Sequence, residues 1–262
     1  MSSEGLPECV TLAFYGMSNC SSSLCQFWNL TDELLQAAGV DGSRVHCSAQ
    51  SKGTLLFSRK ALELSKAIEH QSGQPITSVQ LKVESTDPTK RAAFSFNSGV
   101  SLHPNYLVVA ISSELQELNC SCVQMVIEKI CRMVSPSYGI GYYAPATNAA
   151  IYYALGMACA GSLPGTDSGW NEMERISRWG HTGMYNQVYR RGLLRDVYQW
   201  NVVSSIQCAM MVREKPLVAW IADDSSHGRL TSLTSELSLW EVDYDNLTVI
   251  RKDLDEQQLL FH

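Results

Sequence analysis

RISRWGHTGMYNQVYRRGLLRDVYQWN, residues 175–201, is the segment around which the rest of the chain is organised. It contains five arginines, two tryptophans and three tyrosines, with three glycines around its turns. These side chains combine planar faces with polar groups that need partners when they are buried. The segment therefore predicts either a stacked, hydrogen-bonded wall inside the fold or an anchor surface for a partner. By itself it indicates no reaction.

The composition is that of a globular protein. Of the 262 residues, 45% are apolar and 18% are charged. The longest apolar run, Ala149–Ala160, has about 12 residues and is too short to span a bilayer. Glu4, Pro7 and Glu8 stand where a signal peptide would have its basic start and apolar core. We therefore expect a cytoplasmic protein without a membrane segment.

The hydrophobic pattern predicts an α+β fold. The predicted strands of the first part are Val10–Gly16, Ile76–Val83, Ala92–Phe96, Asn105–Ser112 and Tyr138–Tyr143, and its clearest helix is Cys122–Val134. Short polar connections between consecutive strands favour a mainly antiparallel sheet with helices on one face. Gly161–Gly169 is the best linker. It separates an N-terminal α+β subdomain, 1–162, from a smaller C-terminal α+β subdomain, 163–262, which is rich in tryptophan.

The sequence predicts five further elements. They are a helix over Ser58–Glu69, a strand over Leu193–Val203, a helix that begins at Pro216, a strand over Ser235–Val242, and either a helix or a strand over Leu247–Leu254.

The motifs of common catalytic sites are absent from the sequence. It has no nucleophile elbow, P-loop, HExxH or GxGxxG motif, and its nine cysteines form no zinc-finger spacing. We therefore expect no enzyme activity, cofactor or metal, and expect most cysteines to be small buried hydrophobes. A hydrolase that uses His181 with Cys208 or Asp196 is the enzymatic alternative. The simpler interpretation makes His181 a turn residue that donates a hydrogen bond.

The charged residues within the arginine-rich segment predict a structural network. Neighbours in a strand point to opposite faces, so Arg195 and Asp196 should each pair with a residue elsewhere. The residues predicted for this network are Arg178, Trp179, His181, Arg195, Asp196, Tyr198 and Asn201.

Acidic residues concentrate towards the end of the chain. The net charge is −6, which argues against direct nucleic-acid binding and permits a basic protein partner. The candidate partner-binding residues are Asp223, Asp224, Glu236, Glu241, Asp243 and Asp245. The alternative is that these residues form an ordinary solvated face.

Three motifs resemble those of a known family. PSYGIGYYAPA (136–146), RWGHTG (178–183) and GLLRDVYQWNVVS (192–204) are similar to motifs of the immunity protein 52 family of bacterial type VI secretion immunity proteins. The resemblance covers mainly residues 136–204. LRDVY with the following Asn201 is its strongest part.

The resemblance implies a non-catalytic inhibitor. Such a protein would bind the nuclease domain of a cognate effector toxin of the restriction-endonuclease-like class and protect the producing cell and its kin. A carboxylate surface could occupy the toxin's basic groove by imitating phosphates. The sequence leaves a homodimer open. A protein-interaction module unrelated to toxins is the remaining alternative.

Overall fold

A computed structural model of the protein describes residues 8–17, 31, 33, 45–51, 54–60, 78–83, 92–97, 105–112, 120–145, 148–157 and 170–261. Twelve strands lie in this part of the chain: β1 (Glu8–Tyr15), β2 (Val45–Ser51), β3 (Thr54–Lys60), β4 (Ser78–Val83), β5 (Ala92–Asn97), β6 (Tyr106–Ser112), β7 (Tyr138–Pro145), β8 (Trp200–Ser204), β9 (Met211–Val212), β10 (Lys215–Pro216), β11 (Arg229–Ser232) and β12 (Leu237–Glu241).

Ten of these strands form one antiparallel sheet. Their order is β11-β12-β8-β7-β1-β6-β5-β4-β2-β3, and β9 and β10 form a separate hairpin. β1 lies near the middle, where Leu12 pairs with Val109 of β6 on one side and with Gly141 of β7 on the other. The predicted α+β class and the mainly antiparallel sheet are confirmed.

The described helices are α1 (Cys120–Val134), α2 (Asn148–Ala154), α3 (Trp170–Arg178), α4 (Ser205–Cys208), α5 (Leu217–Asp223) and α6 (Leu247–Glu256). A π-helical turn, Trp179–Gly183, continues α3, and 3-10 turns lie at Val188–Arg191, Ser225–His227 and Tyr244–Asn246. Among the described residues, none of the helices combines the length and the apolar character needed to cross a bilayer.

The helices, expected on one face of the sheet, pack on both. Ala13 and Tyr15 of β1 belong to one core cluster with residues of α2, α3, α5 and α6. Trp240 of β12 points into the same cluster, so its neighbour Glu241 points to the opposite face. There Glu241 accepts a hydrogen bond from Gln124 of α1. Apolar side chains of α1, among them Val123, Ile127 and Ile130, are buried.

The strand predicted over Leu193–Val203 is wrong in its first half, because only Trp200–Ser204 forms a strand. Distant or local side chains take the backbone N–H groups that a ladder would need. The N–H of Arg195 donates to the Tyr138 hydroxyl, and that of Tyr198 donates to Oδ1 of Asn201. Competition of this kind between side chains and a backbone ladder produces irregular structure.

The helix predicted over Ser58–Glu69 is wrong at its start, where residues 58–60 belong to β3 and pair with β2. Residues 61–69 lie outside the described part. Residues 247–256 form a helix, and the strand predicted at Ser235–Val242 is confirmed as β12. Pro216 precedes its helix instead of beginning it.

The predicted boundary at residue 162 falls outside the described part of the chain. The strands on its two sides pair directly, since Ile140 of β7 lies opposite Asn201 of β8. Residues from before and after the boundary share the same core cluster. The division into two subdomains remains a proposal. One continuous sheet contains strands from both of them.

Candidate functional site

Arg195 is the centre of a buried polar cluster. It is 4% exposed, and its guanidinium donates to the carbonyl oxygens of Ala154 at 3.0 Å and Tyr153 at 2.6 Å. The same group lies 4.5 Å from the centre of the Tyr153 ring and 5.5 Å from that of Trp179. Within the described part of the chain, no carboxylate forms an ion pair with it. Its charge is therefore stabilised by neutral oxygens and aromatic faces.

Phenol groups surround this guanidinium. Burial lowers the pKa of Arg195, but the nearby tyrosine oxygens, that of Tyr198 first, raise it above the usual arginine value. Tyr15 receives a hydrogen bond from Arg195 at 3.4 Å and donates one to the carbonyl of Ala154 at 2.7 Å. The arginine therefore remains charged, and it fixes α2 against β1.

The buried phenols predict a sharp loss of stability at alkaline pH. Burial raises the pKa of five tyrosines, namely Tyr15, Tyr138, Tyr142, Tyr189 and Tyr198. The pKa of Tyr189 is raised to about 12. In the unfolded chain a phenol ionises near pH ~10. The stabilisation is thus complete below that pH and is lost as the pH rises towards the folded values. Tyrosinate absorbance and circular dichroism should show these phenols ionising together with unfolding, and a smooth ionisation without loss of structure would contradict this.

Asp196 connects three parts of the chain. Its side chain is 1% exposed and forms ion pairs with Arg175 at 2.8 Å and Arg251 at 3.0 Å. Its Oδ1 also accepts the N–H of Val197 at 2.7 Å. Asp196 therefore forms ion pairs with arginines elsewhere in the chain, whereas Arg195 donates to backbone carbonyl oxygens, and neither residue lies in a strand.

Asn201 holds the turn that leads into β8. Its Oδ1 accepts the N–H of Tyr198 at 3.0 Å, and its Nδ2 donates to the carbonyl of Tyr198 at 2.7 Å. The Tyr198 hydroxyl lies 2.9 Å from that of Tyr153. Arg195, Asp196, Tyr198 and Asn201 thus make side-chain hydrogen bonds inside the fold, which is a structural role.

The glycines of the π-helical turn in WGHTG are closely packed. A Cβ on Gly180 would lie 2.6 Å from the carbonyl oxygen of Gly156. A Cβ on Gly183 would lie 2.6 Å from the Trp179 ring and 3.0 Å from that of Phe261. Trp179 is 1% exposed, whereas His181 is exposed. The segment turns its tryptophan inward and its histidine outward.

Five of the seven residues predicted for the network are buried in and around this cluster: Trp179, Arg195, Asp196, Tyr198 and Asn201. The other two lie at the surface. Arg178 is exposed and pairs with Glu174, four residues before it in α3. His181 is exposed on the π-helical turn.

The predicted network omitted several of the cluster's members, namely Tyr15, Tyr138, Tyr142, Tyr153, Arg175 and Arg251. The spacing of tyrosines in the sequence could have identified two of them. Tyr138 and Tyr142 are four residues apart in β7, so they share a face of that strand.

The candidate acidic residues do not form one continuous patch. Glu236 precedes β12 and Asp243 follows it, so they lie at opposite ends of a five-residue strand, about 17 Å long by strand geometry. Asp224 lies after α5, where it accepts hydrogen bonds from Ser226. Asp245 lies in the 3-10 turn after β12.

Two of these acids are already paired within the protein. Asp223 forms an ion pair with Lys215 at 2.5 Å, and both side chains are about half exposed. Glu241 is bound by Arg229 at 2.7 Å and by Gln124, and its side chain is 15% exposed. Asp224, Glu236, Asp243 and Asp245 remain exposed.

The hydrolase alternative gains no support from these positions. Both oxygens of Asp196 are bound by arginines. Burial raises the pKa of the Cys208 thiol, against a hydrogen bond from Ser238 that lowers it, so the nucleophilic thiolate is disfavoured. His181 makes no described contact with either residue. Of the four cysteines whose side chains the structure describes, Cys9 and Cys131 are buried, whereas Cys122 and Cys208 are partly buried. No cluster that could hold a metal occurs among the described residues.

Comparison with known proteins identifies a shared fold. No family model matches the chain, and no curated protein matches its sequence. The fold is similar to the solved structure of the Pseudomonas aeruginosa T6SS protein PA0821, with 10% sequence identity, a TM-score of 0.63, and coverage of 97% of this chain and 73% of that chain. At this identity the likeness is one of fold. The resemblance to the immunity protein 52 family therefore stays a prediction.

Proposed function

We propose that this protein is a cytoplasmic immunity protein. It binds and neutralises a cognate nuclease toxin delivered by type VI secretion, and so protects the producing cell and its kin. The observation that carries the proposal is the likeness of nearly the whole chain to the fold of a type VI secretion system protein. The three sequence motifs point to the same kind of system.

The surface charge supports a basic partner. Between residues 205 and 245, each basic side chain is paired with a carboxylate: Arg213 with Asp253, Lys215 with Asp223, and Arg229 with Glu241. The carboxylates left over are Glu214, Asp224, Glu236, Asp243 and Asp245, and all are exposed. A nuclease needs a basic groove for its phosphate substrate. This surplus of negative charge suits such a groove.

Asp243, Tyr244 and Asp245 form the part of this surface best suited to an anchor. Tyr244 is 64% exposed, and an aromatic ring between two carboxylates combines apolar contact with charge. The Asp243 side chain makes no cap hydrogen bond to the 3-10 turn. The Asp243 carboxylate is therefore not engaged in capping this turn.

The proposal is tested with the nuclease domain of the effector encoded beside this gene. That domain, purified, should co-purify with this protein, and its nuclease activity should fall to background at equimolar ratio. Absence of a complex, together with full nuclease activity in the presence of excess protein, would contradict the proposal.

Changing Asp243 and Asp245 together to lysine should slow association with the nuclease domain about tenfold and weaken its salt dependence. The reason is that two carboxylates that attract the basic groove become repulsive. Surface plasmon resonance at several salt concentrations measures this. Glu128→Lys with Glu174→Lys is the control, because it makes the same change in net charge on α1 and α3. Equal rates for both double variants would contradict a role for this surface.

A further inference from the structure

β11 is the last strand at one edge of the sheet. It pairs with β12 and, among the strands that the structure describes, with no other. Three of its four residues are exposed and Leu230 is half-buried. An exposed edge of this kind presents backbone groups that another strand can bind.

The register shows which backbone groups face outward. The N–H of Leu233 donates to the carbonyl of Leu237 at 2.9 Å, in the same register as the pairing of Arg229 with Glu241. Hydrogen-bonded and non-bonded pairs alternate along an antiparallel ladder. Thr231 therefore bonds to β12, whereas Leu230 and Ser232 direct their N–H and C=O groups away from the sheet.

The bonds of β12 on its other side agree with this assignment. The N–H of Ser205 donates to Glu236, and that of Val242 donates to Gln199. By the same alternation, Ser238 and Trp240 bond to β8. Their partners across the ladder, Ser232 and Leu230, are thus the residues with outward backbone groups.

A carboxylate stands beyond each end of β11. Asp224 precedes the strand and Glu236 follows it, and both are exposed. Hydrogen bonds from the backbone and then the side chain of Ser226 hold the pKa of Asp224 below its usual value, so it stays ionised. The one basic residue within the strand, Arg229, is neutralised by Glu241. The connections before and after the edge strand therefore each carry an exposed carboxylate.

We propose that β11 is a docking edge, which takes up an extended, basic segment of a partner protein as an additional antiparallel or parallel strand. Backbone hydrogen bonds to Leu230 and Ser232 supply the pairing. Asp224 and Glu236 select a partner with basic side chains at the ends of its strand. This inference goes beyond the proposed function, since it holds for any partner of that chemistry.

A second copy of the chain fits this edge poorly. When two β11 strands pair antiparallel, the Asp224 end of one copy lies beside the Glu236 end of the other. Like charges placed together in this way disfavour the pairing. With a net charge of −6 on each copy, long-range repulsion adds to the effect.

The probe for this proposal is a short synthetic peptide of alternating valine and lysine, and its control is the same peptide with glutamate in place of lysine. Amide hydrogen exchange of the full chain, followed residue by residue by NMR, is the readout. The lysine peptide should slow exchange at Leu230 and Ser232 about tenfold, with smaller effects elsewhere, and the glutamate peptide should not.

Two substitutions at Ser232 distinguish a role of its backbone N–H in peptide binding from a role of its side chain. Ser232→Pro removes the outward N–H and should abolish the protection of Leu230 by the lysine peptide, because proline is tolerated at an edge where the N–H faces solvent. Ser232→Ala loses the hydroxyl bond to the Thr234 carbonyl but keeps the N–H, so it should retain the protection. Equal protection in both variants would overturn the proposal.

A third variant covers the case in which Ser232→Pro fails to fold. Asp224→Asn with Glu236→Lys should weaken lysine-peptide binding about tenfold and remove the preference over the glutamate peptide. An unchanged preference would overturn the role of these carboxylates. Protection of Leu230 and Ser232 that rises with protein concentration, in the absence of peptide, would mean that the occupant is a second copy, which also overturns the proposal.

Discussion

Asp196→Asn is expected to lower the free energy of unfolding by about 3–5 kcal/mol, the cost of removing one partner from a buried ion pair. Asparagine retains an oxygen for the Val197 N–H, so the loss is mainly one of charge. Arg175 and Arg251 would then keep their positive charges at 26% and 22% exposure, without the carboxylate between them. The buried Arg195 next to it in sequence adds a third positive charge.

The matched control is Asp223→Asn. It also removes a carboxylate from an ion pair, but Asp223 and Lys215 are about half exposed, so the expected cost is below about 1 kcal/mol. Urea unfolding followed by tryptophan fluorescence gives both values. Equal midpoints for the two variants would show that Asp196 carries no more stability than a surface carboxylate.

Elements with a complete local pattern could be predicted from the sequence. The run of β-branched and aromatic residues in Val10–Gly16, which ends at a glycine, marks β1. Its side chains are buried on both faces because helices cover both. The spacing of apolar residues in Cys122–Val134 marks α1, and the structure buries that stripe. In both elements the local preference and the tertiary environment agree.

The irregular segment before β8 could not be predicted in the same way. Leu194 and Arg195 lie in a run that the sequence predicts as a strand, but the partners of their backbone groups are remote. Leu194 bonds to Leu259 and Phe261 near the end of the chain, and the N–H of Arg195 bonds to Tyr138. The residues of the segment do not identify these partners. Local propensity therefore predicts a strand, whereas tertiary contacts determine the irregular conformation.

The candidate acidic contact residues could also be predicted only in part from the sequence. The acidic residues can be listed from the sequence, but in the fold Glu241 is bound by Arg229 and Asp223 by Lys215. Which acids keep free charge depends on these pairings. The docking edge at β11 was not predicted at all, because its strand is only four residues long and its exposure depends on being last in the sheet.

The contact between Gly156 and Gly180 joins the end of α2 to the π-helical turn. Gly156 has φ of +71°, a conformation that a side chain disfavours. A Cβ there would overlap the Cα and N of Gly180 and lie 2.9 Å from the carbonyl oxygen of Ile176. All of these are backbone atoms, which cannot move aside by a change of rotamer.

Gly156→Ala is therefore expected to cost about 3 kcal/mol or more, as the sum of backbone strain and overpacking. Gly180→Ala makes the same contact without a positive φ, so its cost should be smaller, about 1–3 kcal/mol. Thr182→Ala, an exposed position in the same turn, is the control and should change stability by less than about 0.5 kcal/mol. Thermal unfolding of the three variants tests this order. If Gly156→Ala and Thr182→Ala unfold at the same temperature, α2 and the π-helical turn do not meet through their backbones.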